Sequence, residues 1–335
     1  MSGSVRMNRR KFLRTVGMAT AAASLSGAGE ACARSAAQKA ASDGRSIVAL
    51  VTDPSVRTGE TLNGKRVERL LRKTLERALG TSGLGDVITP DETVGIKLNC
   101  LAGRPLSPSP ELVDALIGAL VDFGVARERI LVFERGERDL RRGGFSPGER
   151  QGARFLGNDS PGAGYEEEPE ISGQLGSCLS RILTRRIDAM INLGVVKDHS
   201  LAGLGAGVKN LYGLIHNPNK YHDNGCNPYL ADLLAMPVIQ KKLRLSILDG
   251  ITAQCQGGPG FTPAHAWPLN TLLASRDVVA LDRVAWDIIE ERRKAMGLAP
   301  LERENRAPRW LRTAASRGLG QDDPARIQVR REVLS

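Results

Sequence analysis

The sequence predicts an α/β protein with a mostly parallel sheet and helices on both faces of that sheet. The chain has 335 residues, 41% of them hydrophobic and 25% charged, so it can bury a substantial core. Short β-branched runs alternate with longer stretches of helical periodicity, which is the order of parallel strands joined by crossover helices. Aromatic residues make up only 4%, so aliphatic side chains must fill most of the core.

The first half of the predicted domain alternates regularly between strand and helix. The second helix carries clear boundary signals, because Ser109 can act as N-cap, Pro110 suits the first turn and Gly124 can end the helix. The predicted elements are a strand at 46–53, a helix at 64–79, a strand at 93–100, a helix at 109–124 and a strand at 129–134.

A stretch rich in Gly, Pro and charge then interrupts the alternation at about 135–178. It is too long for a passive connection, and we predict an irregular excursion that is either a partly ordered loop near the site or poorly ordered. Regular structure resumes beyond it. The predicted elements are strands at 187–196, 244–250 and 267–275 and helices at about 203–215, 228–242 and 277–296.

The N-terminus has the layout of an export signal. Arg9 and Arg10 precede Phe12 and Leu13, and a mildly apolar run leads to a small-residue cleavage motif that ends at Ala33. Paired arginines before Phe-Leu resemble the twin-arginine type, which implies the twin-arginine export machinery as a partner. The alternative is an uncleaved anchor helix, but the run is shorter than the ~20 apolar residues that a membrane span needs.

The predicted organisation is therefore a signal peptide at 1–33, a linker at 34–45 and one α/β domain at 46–335. We expect an exported protein, periplasmic or extracytoplasmic, with no stable membrane span after cleavage. Removing residues 1–33 takes away five basic residues and one acidic residue, so the formal charge falls from +10 to +6. The remaining charge is dispersed and no basic run is interleaved with aromatic residues, so no nucleic-acid partner is expected.

Four cysteines remain after the signal, and none belongs to a C-x-x-C pair, so we expect neither an iron–sulfur cluster nor a cysteine-type zinc site. In an oxidising compartment they could form one or two disulfides, and the sequence does not choose among the three pairings. The four are Cys100, Cys178, Cys226 and Cys255.

Polar side chains follow three of the predicted strands at the point where each strand ends. Lys97 and Asn99 close one strand, Lys197 and His199 follow another, and Asp249 closes a third. Loops at the carboxyl ends of parallel strands form the crevice in which ligands bind in open α/β sheets. Within each of the first two pairs the spacing of two residues places both side chains on one face of the extended chain. The sequence therefore predicts a shared crevice at this edge.

The glycine-rich segment 203–207 leads into a predicted helix that carries Lys209 and Asn210. Such a segment either presents backbone amides to an anion or only permits a tight turn and close packing, and the sequence leaves both open. Lys209 and His216 would share a helix face. Two site lysines repel each other unless a negative group lies between them, which could be Asp249, a substrate carboxylate or a phosphate.

The four histidines all lie within residues 199–265, and three of them are close together in sequence. The ordinary pKa of a histidine, about 6.5, suits proton exchange at His199. His216 and His222, with Asp249 or Asp198, are candidate ligands of a divalent metal, although their spacing matches no standard motif.

Four motifs resemble, in the same order, the family named domain of unknown function 362. They are VGIKLN, INLGVVKDHSLAGLGAGVKNLYGLIHNP…YH, LSILDGITAQCQGGPG and ASRDVVALDRVAWDII. The resemblance covers most of residues 46–330. Some relatives carry ferredoxin-like cysteine clusters, which this chain lacks. The recurrent polar positions that the resemblance implies are Lys97, Asn99, Lys197, His199, Lys209, Asn210, Asp249 and Asp282.

Asp282 falls on the apolar side of the predicted helix 277–296 and therefore needs a partner, which a site lysine would supply. Together these residues predict a crevice that binds a small anionic molecule, with a divalent metal as candidate cofactor. The rival interpretations are a non-catalytic periplasmic binding or metal-handling protein and an accessory to a partner enzyme. The candidate catalytic residues are His199, Lys197 and Lys209, the candidate ligand-binding residues are Lys97, Asn99, Asn210, Asp249 and Asp282, and the candidate metal ligands are His216 and His222.

Overall fold

A large mixed sheet of ten strands runs through the computed structural model, which describes residues 44–335. The predicted signal peptide at 1–33 lies outside the described residues, so export stays a prediction. The strands are β1 Ser46–Thr52, β2 Arg57–Thr58, β3 Thr61–Leu62, β4 Val94–Lys97, β5 Ile130–Glu134, β6 Gly148–Arg150, β7 Ala153–Gly157, β8 Glu170–Ser172, β9 Leu175–Ser177, β10 Ala189–His199, β11 Gly203–Leu204, β12 Leu243–Gln254, β13 Ala266–Ser275 and β14 Ile327–Val333.

The sheet is mostly parallel, as the sequence predicted. Its order is β14-β1-β13-β12-β10-β4-β5-β7-β6, with β11 paired to β10. The five central strands β12, β10, β4, β5 and β7 are parallel to one another, and β14 is parallel to β1. β13 runs antiparallel between β1 and β12, because the short connection from β12 contains no crossover helix.

Helices cover both faces of the sheet, so the predicted α/β fold class is confirmed. Alternate residues of β1 enter different cores: Val48 and Leu50 pack with the helices at 278–295 and 310–316, whereas Ala49 and Val51 pack with the helices at 64–79 and 110–123. The α-helices are α1 Gly64–Leu79, α2 Pro110–Phe123, α3 Glu137–Arg142, α4 Gly207–Asn210, α5 Tyr229–Leu234, α6 Pro237–Lys242, α7 Val278–Ala295 and α8 Trp310–Ser316.

The boundary signals predicted for α2 act as expected, and α1 begins with a similar cap. Asn63 caps α1 by accepting a hydrogen bond from the backbone of Arg66, and Ser109 caps α2 by accepting one from the backbone of Leu112. Gly124 ends α2 in the left-handed conformation, which glycine adopts without steric cost.

Three segments differ from their predictions. The helix expected at 203–215 is only the short α4 followed by 3-10 turns over Leu211–Leu214, and the helix expected at 228–242 is divided into α5 and α6. Pro237 starts α6 and cannot continue α5, since it has no N–H to donate. The excursion at 135–178 holds more regular structure than expected, because it contributes α3 and two short hairpins, β6–β7 and β8–β9, the first of which joins the main sheet.

Within the described range, no helix combines the length and apolarity needed to cross a membrane. The four cysteines of this range are unpaired: Cys100, Cys226 and Cys255 are buried, and Cys178 is half-buried.

Candidate functional site

A cavity of about 520 Å³ opens at the carboxyl ends of the neighbouring strands β10, β4 and β5. Its position follows from the parallel core, since the loops after parallel strands meet at one edge. Polar and charged side chains from all three strand ends reach it. The structure brings seven of the ten predicted site residues to its wall, namely Lys97, Asn99, Lys197, His199, Lys209, Asn210 and His222.

Lys97 is a buried cation with a complete set of partners. Its Nζ donates to the carbonyl of Leu98 at 2.5 Å and to Oδ1 of Asn210 at 3.3 Å, and lies 3.5 Å from Oε2 of Glu134. Gly213 lies directly over the lysine stem: a Cβ at position 213 would lie 2.5 Å from Cε of Lys97. A side chain at position 213 would therefore force the end of Lys97 to move.

Lys197 is equally buried but has no acidic partner. Its Nζ donates to Oδ1 of Asn99 at 3.0 Å and to the carbonyl of Pro259 at 3.4 Å. Among the described residues no carboxylate oxygen lies within 4.0 Å of this nitrogen. Burial lowers the pKa of Lys197 to about 8, and the more distant charge of Glu134 opposes this shift.

Lys209 forms a second cationic position with no carboxylate partner in the part of the chain that the structure describes. Its Nζ lies 3.1 Å from Nε2 of His222 and 4.1 Å from the centre of the Tyr212 ring. Nδ1 of His222 lies 3.3 Å from the carbonyl of Asn219, which can only accept, so Nδ1 carries the proton and Nε2 accepts from Lys209. Burial lowers the pKa of Lys209 to about 8, and the charge of Arg135 lowers it further.

His199 is held as a neutral hydrogen-bond donor. Its Nδ1 accepts hydrogen bonds from the backbone amides of Leu201 and Ala202, both at 3.2 Å, so the proton of the neutral ring resides on Nε2. Burial lowers the pKa of His199 to about 2, and the charge of Lys209 adds to this effect. This environment fits a donor to an anion rather than the proton exchange predicted for His199, because the imidazolium form is strongly disfavoured.

A network of buried polar contacts holds the loop behind Lys197. Asp198 accepts a hydrogen bond at 2.8 Å from the backbone amide of Gly258 and forms an ion pair at 3.3 Å with Arg306. Gly258 precedes Pro259, whose carbonyl accepts from Lys197. The carboxylate of Asp198 is thus bound by Arg306 and by the loop, and its charge makes only a minor contribution in favour of the ammonium of Lys197.

Asp282 has a different role from the predicted one. It is fully buried, and its two carboxylate oxygens accept hydrogen bonds from the backbone amides of Gly207 at 2.7 Å and Val208 at 2.8 Å. No lysine pairs with it in the described part of the chain. Asp282 therefore binds the N-terminus of α4, and these two amides are not available to an anion. The same contact anchors the helix that carries Lys209.

Asp249 and His216 also lie away from the cavity. Asp249 faces a separate hollow of about 690 Å³, where it accepts hydrogen bonds from the backbone amides of Ile251 and Ser109, and burial raises its pKa to about 6. His216 is exposed and packs against the edge of Tyr165, because the expected helix ends before reaching it. The predicted metal pair is therefore not brought together.

Within residues 44–335, no group of three or more His, Cys, Asp and Glu side chains is arranged to hold a metal ion. The two histidines of the cavity stack on each other and have partners other than a metal. The rings of His199 and His222 lie 5.6 Å apart, and the nitrogens with known partners face backbone groups or Lys209.

Several residues that line the cavity are not among those predicted from the sequence. Glu134 is the last residue of β5, and the rule that identified Lys97 and Lys197 at strand ends would also have identified it. Arg135 follows it directly. Tyr212 gave no comparable signal, since its place beneath Lys209 depends on the turn that follows α4.

The two lysines without acidic partners predict an unusual dependence of stability on pH. Their pKa values are about 8 in the folded protein and ordinarily 10.5, so between these values the unfolded chain binds more protons. Stability therefore rises with pH across this window. We expect the ligand-free protein to gain up to ~3 kcal/mol per lysine between about pH 8 and 10.5, measured by urea unfolding. A free energy of unfolding that does not change with pH in this window would contradict the lowered pKa values of the two lysines.

Comparisons with known proteins give a family match and distant structural likenesses. A family model described as Domain of unknown function (DUF362) matches residues 94–287. A crystal structure of a protein from Thermotoga maritima shares 13% identity with a TM-score of 0.37, covering 57% of this chain, and this chain spans about half (51%) of that protein. No curated protein matches the sequence.

Proposed function

This chain belongs to the DUF362 family, and from the cavity at the carboxyl ends of β10, β4 and β5 we propose that it binds a small anionic molecule. The observation that carries the proposal is the pair of ammonium groups on Lys197 and Lys209, neither of which has a carboxylate partner among residues 44–335. Buried charges are costly unless they are paired. A ligand anion between them would supply the missing pair.

The neutral groups of the cavity suit the same ligand. Asn99 and Asn210 have their oxygens turned toward lysines, and Nε2–H of His199 is a donor. Charge-assisted hydrogen bonds from ammonium to carboxylate or phosphate are about twice as strong as neutral ones. Carboxylates and phosphates are therefore the ligand classes that this set of donors recognises.

The walls limit the size of the ligand and favour a partly apolar one. Leu101 and Leu201 are exposed at the cavity, and Pro218 and Pro259 contribute further apolar surface. A volume of about 520 Å³ is in the range of small-molecule sites. The proposed ligand is thus a small organic acid or phosphate ester with a short apolar part.

Isothermal titration calorimetry with phosphate, L-lactate and oxalate tests this proposal directly. The double variant Lys197→Met/Lys209→Met is expected to lose at least ~10-fold in affinity for the anion that binds, because each charge-assisted hydrogen bond contributes about 1.5–3 kcal/mol. The double variant Lys220→Met/Lys241→Met is the matched control, since both of these lysines are exposed.

Binding by the wild type should also weaken above pH 8, because the lysines then lose the protons that the anion requires. Native mass spectrometry of the protein purified without added anions complements the titration by identifying a co-purified molecule. Equal affinity in the two double variants, or no binding and no co-purified acid at all, would contradict the proposed function.

A further inference from the structure

Lys209 differs from the other two cavity lysines in having a neutral imidazole beside it. Its Nζ lies 3.1 Å from Nε2 of His222, and that nitrogen is free to accept because Nδ1–H is directed to the carbonyl of Asn219. Lys97 and Lys197 donate only to carbonyl and amide oxygens or approach a carboxylate. An amine nucleophile needs a nearby base to take its extra proton.

We propose that Lys209 reacts with the carbonyl group of a small oxo acid to form an imine, with His222 as the proton acceptor. This inference rests on the proposed function, since the same cavity must hold the acid. The carboxylate of the oxo acid is assigned to the unpaired ammonium of Lys197, and the carbonyl oxygen to the Nε2–H donor of His199.

The step balances without an oxidant or a metal. The ammonium of Lys209 passes one proton to Nε2 of His222, and the free amine attacks the carbonyl carbon, so that a C–N bond forms and the carbonyl electron pair moves to oxygen. The oxygen takes up two protons, one returned by His222 and one from the new C–N nitrogen, and leaves as water when the C–O bond breaks. Ammonium and ketone thus give a protonated imine and water.

The surroundings of Lys209 support this chemistry. Its amine lies over the face of Tyr212 in a partly apolar corner, and burial lowers its pKa to about 8, so a usable fraction of free amine exists near neutral pH. Desolvated lysines of this kind are the ones that form imines in enzymes. The pKa of Lys197 is lowered as well, but no imidazole lies within hydrogen-bonding distance of its Nζ among the described residues.

Reductive trapping tests the inference. Purified protein is incubated with pyruvate and sodium borohydride, digested and analysed by mass spectrometry. We expect Lys209 to gain the mass of one pyruvate less one oxygen atom, at least tenfold faster than Lys197 or the exposed Lys241. His222→Asn should slow this labelling by a similar factor, whereas Lys241→Met should leave it unchanged.

Two control ligands separate the inference from the proposed function. L-Lactate carries the carboxylate without a carbonyl, so it should bind and compete with labelling, whereas acetone lacks the carboxylate and should label Lys209 poorly. If lactate and pyruvate bind but Lys209 is labelled no faster than Lys241, the imine proposal fails and anion binding stands. If pyruvate labels Lys209 no better than acetone does and lactate gives no protection, both proposals fail.

Discussion

Replacing Lys97 by methionine is expected to destabilise the protein by about 3 kcal/mol, because it leaves the carboxylate of Glu134 buried without its cation. Glu134 is 4% exposed, and its other contacts are backbone amides of Cys100 and Arg135. Methionine has a similar length and fits beneath Gly213, so the loss of stability is due to the missing charge and not to a change of shape. Urea unfolding at pH 7 measures the effect.

A double-mutant cycle separates the ion pair from other consequences of the substitution. The variant Lys97→Met/Glu134→Gln removes both charges and should recover at least half of the stability lost in the single variant. Glutamine keeps an acceptor for the amide of Cys100. A double variant less stable than Lys97→Met by the full cost of Glu134→Gln would show that the two residues are not coupled.

Replacing Lys197 by methionine is expected to have the opposite effect on stability. At pH 7 its ammonium is retained although burial lowers the pKa from 10.5 to about 8, which corresponds to a cost on the order of 3 kcal/mol. Methionine removes this cost and loses one good hydrogen bond, to Asn99, so we expect a net stabilisation of about 2 kcal/mol.

The same substitution should weaken binding of the anion. A variant that is more stable but no longer binds indicates a residue kept for function at the expense of stability. The gain should shrink as the pH rises from 8 towards 10.5, because the lysine of the folded protein is then already neutral and that of the unfolded chain increasingly so. Destabilisation by Lys197→Met at pH 7, comparable with that of Lys97→Met, would show that Lys197 has an acidic partner after all.

The contrast between these two lysines shows where sequence reasoning succeeded and where it stopped. Both were identified because each lies at the end of a predicted parallel strand, and both line the cavity. The pattern did not distinguish them. The two lysines differ in having an acidic partner, which the neighbouring strand β5 supplies. Its residue Glu134 lies 3.5 Å from Lys97 but forms no ion pair with Lys197.

The misplaced candidates have a related explanation. Asp249 and Asp282 were assigned to the crevice by type and position, but each carboxylate is used by backbone amides far away in sequence. The prediction that His216 and Lys209 share a helix face required one helix over 203–215. The α-helix instead ends with α4, and 3-10 turns follow it. The periodicity of the sequence does not predict such partners, because they are far apart along the chain.

The sequence alone determined the fold class, the family and the strand ends that carry lysine, asparagine and histidine, because side-chain periodicity and the geometry of parallel strands are local or general properties. The tertiary structure decided which cations are paired, which nitrogen of each cavity histidine carries the proton, and which carboxylates are already occupied. These depend on groups that meet across large distances in sequence, and in a buried site a few ångströms between such groups determine their charge.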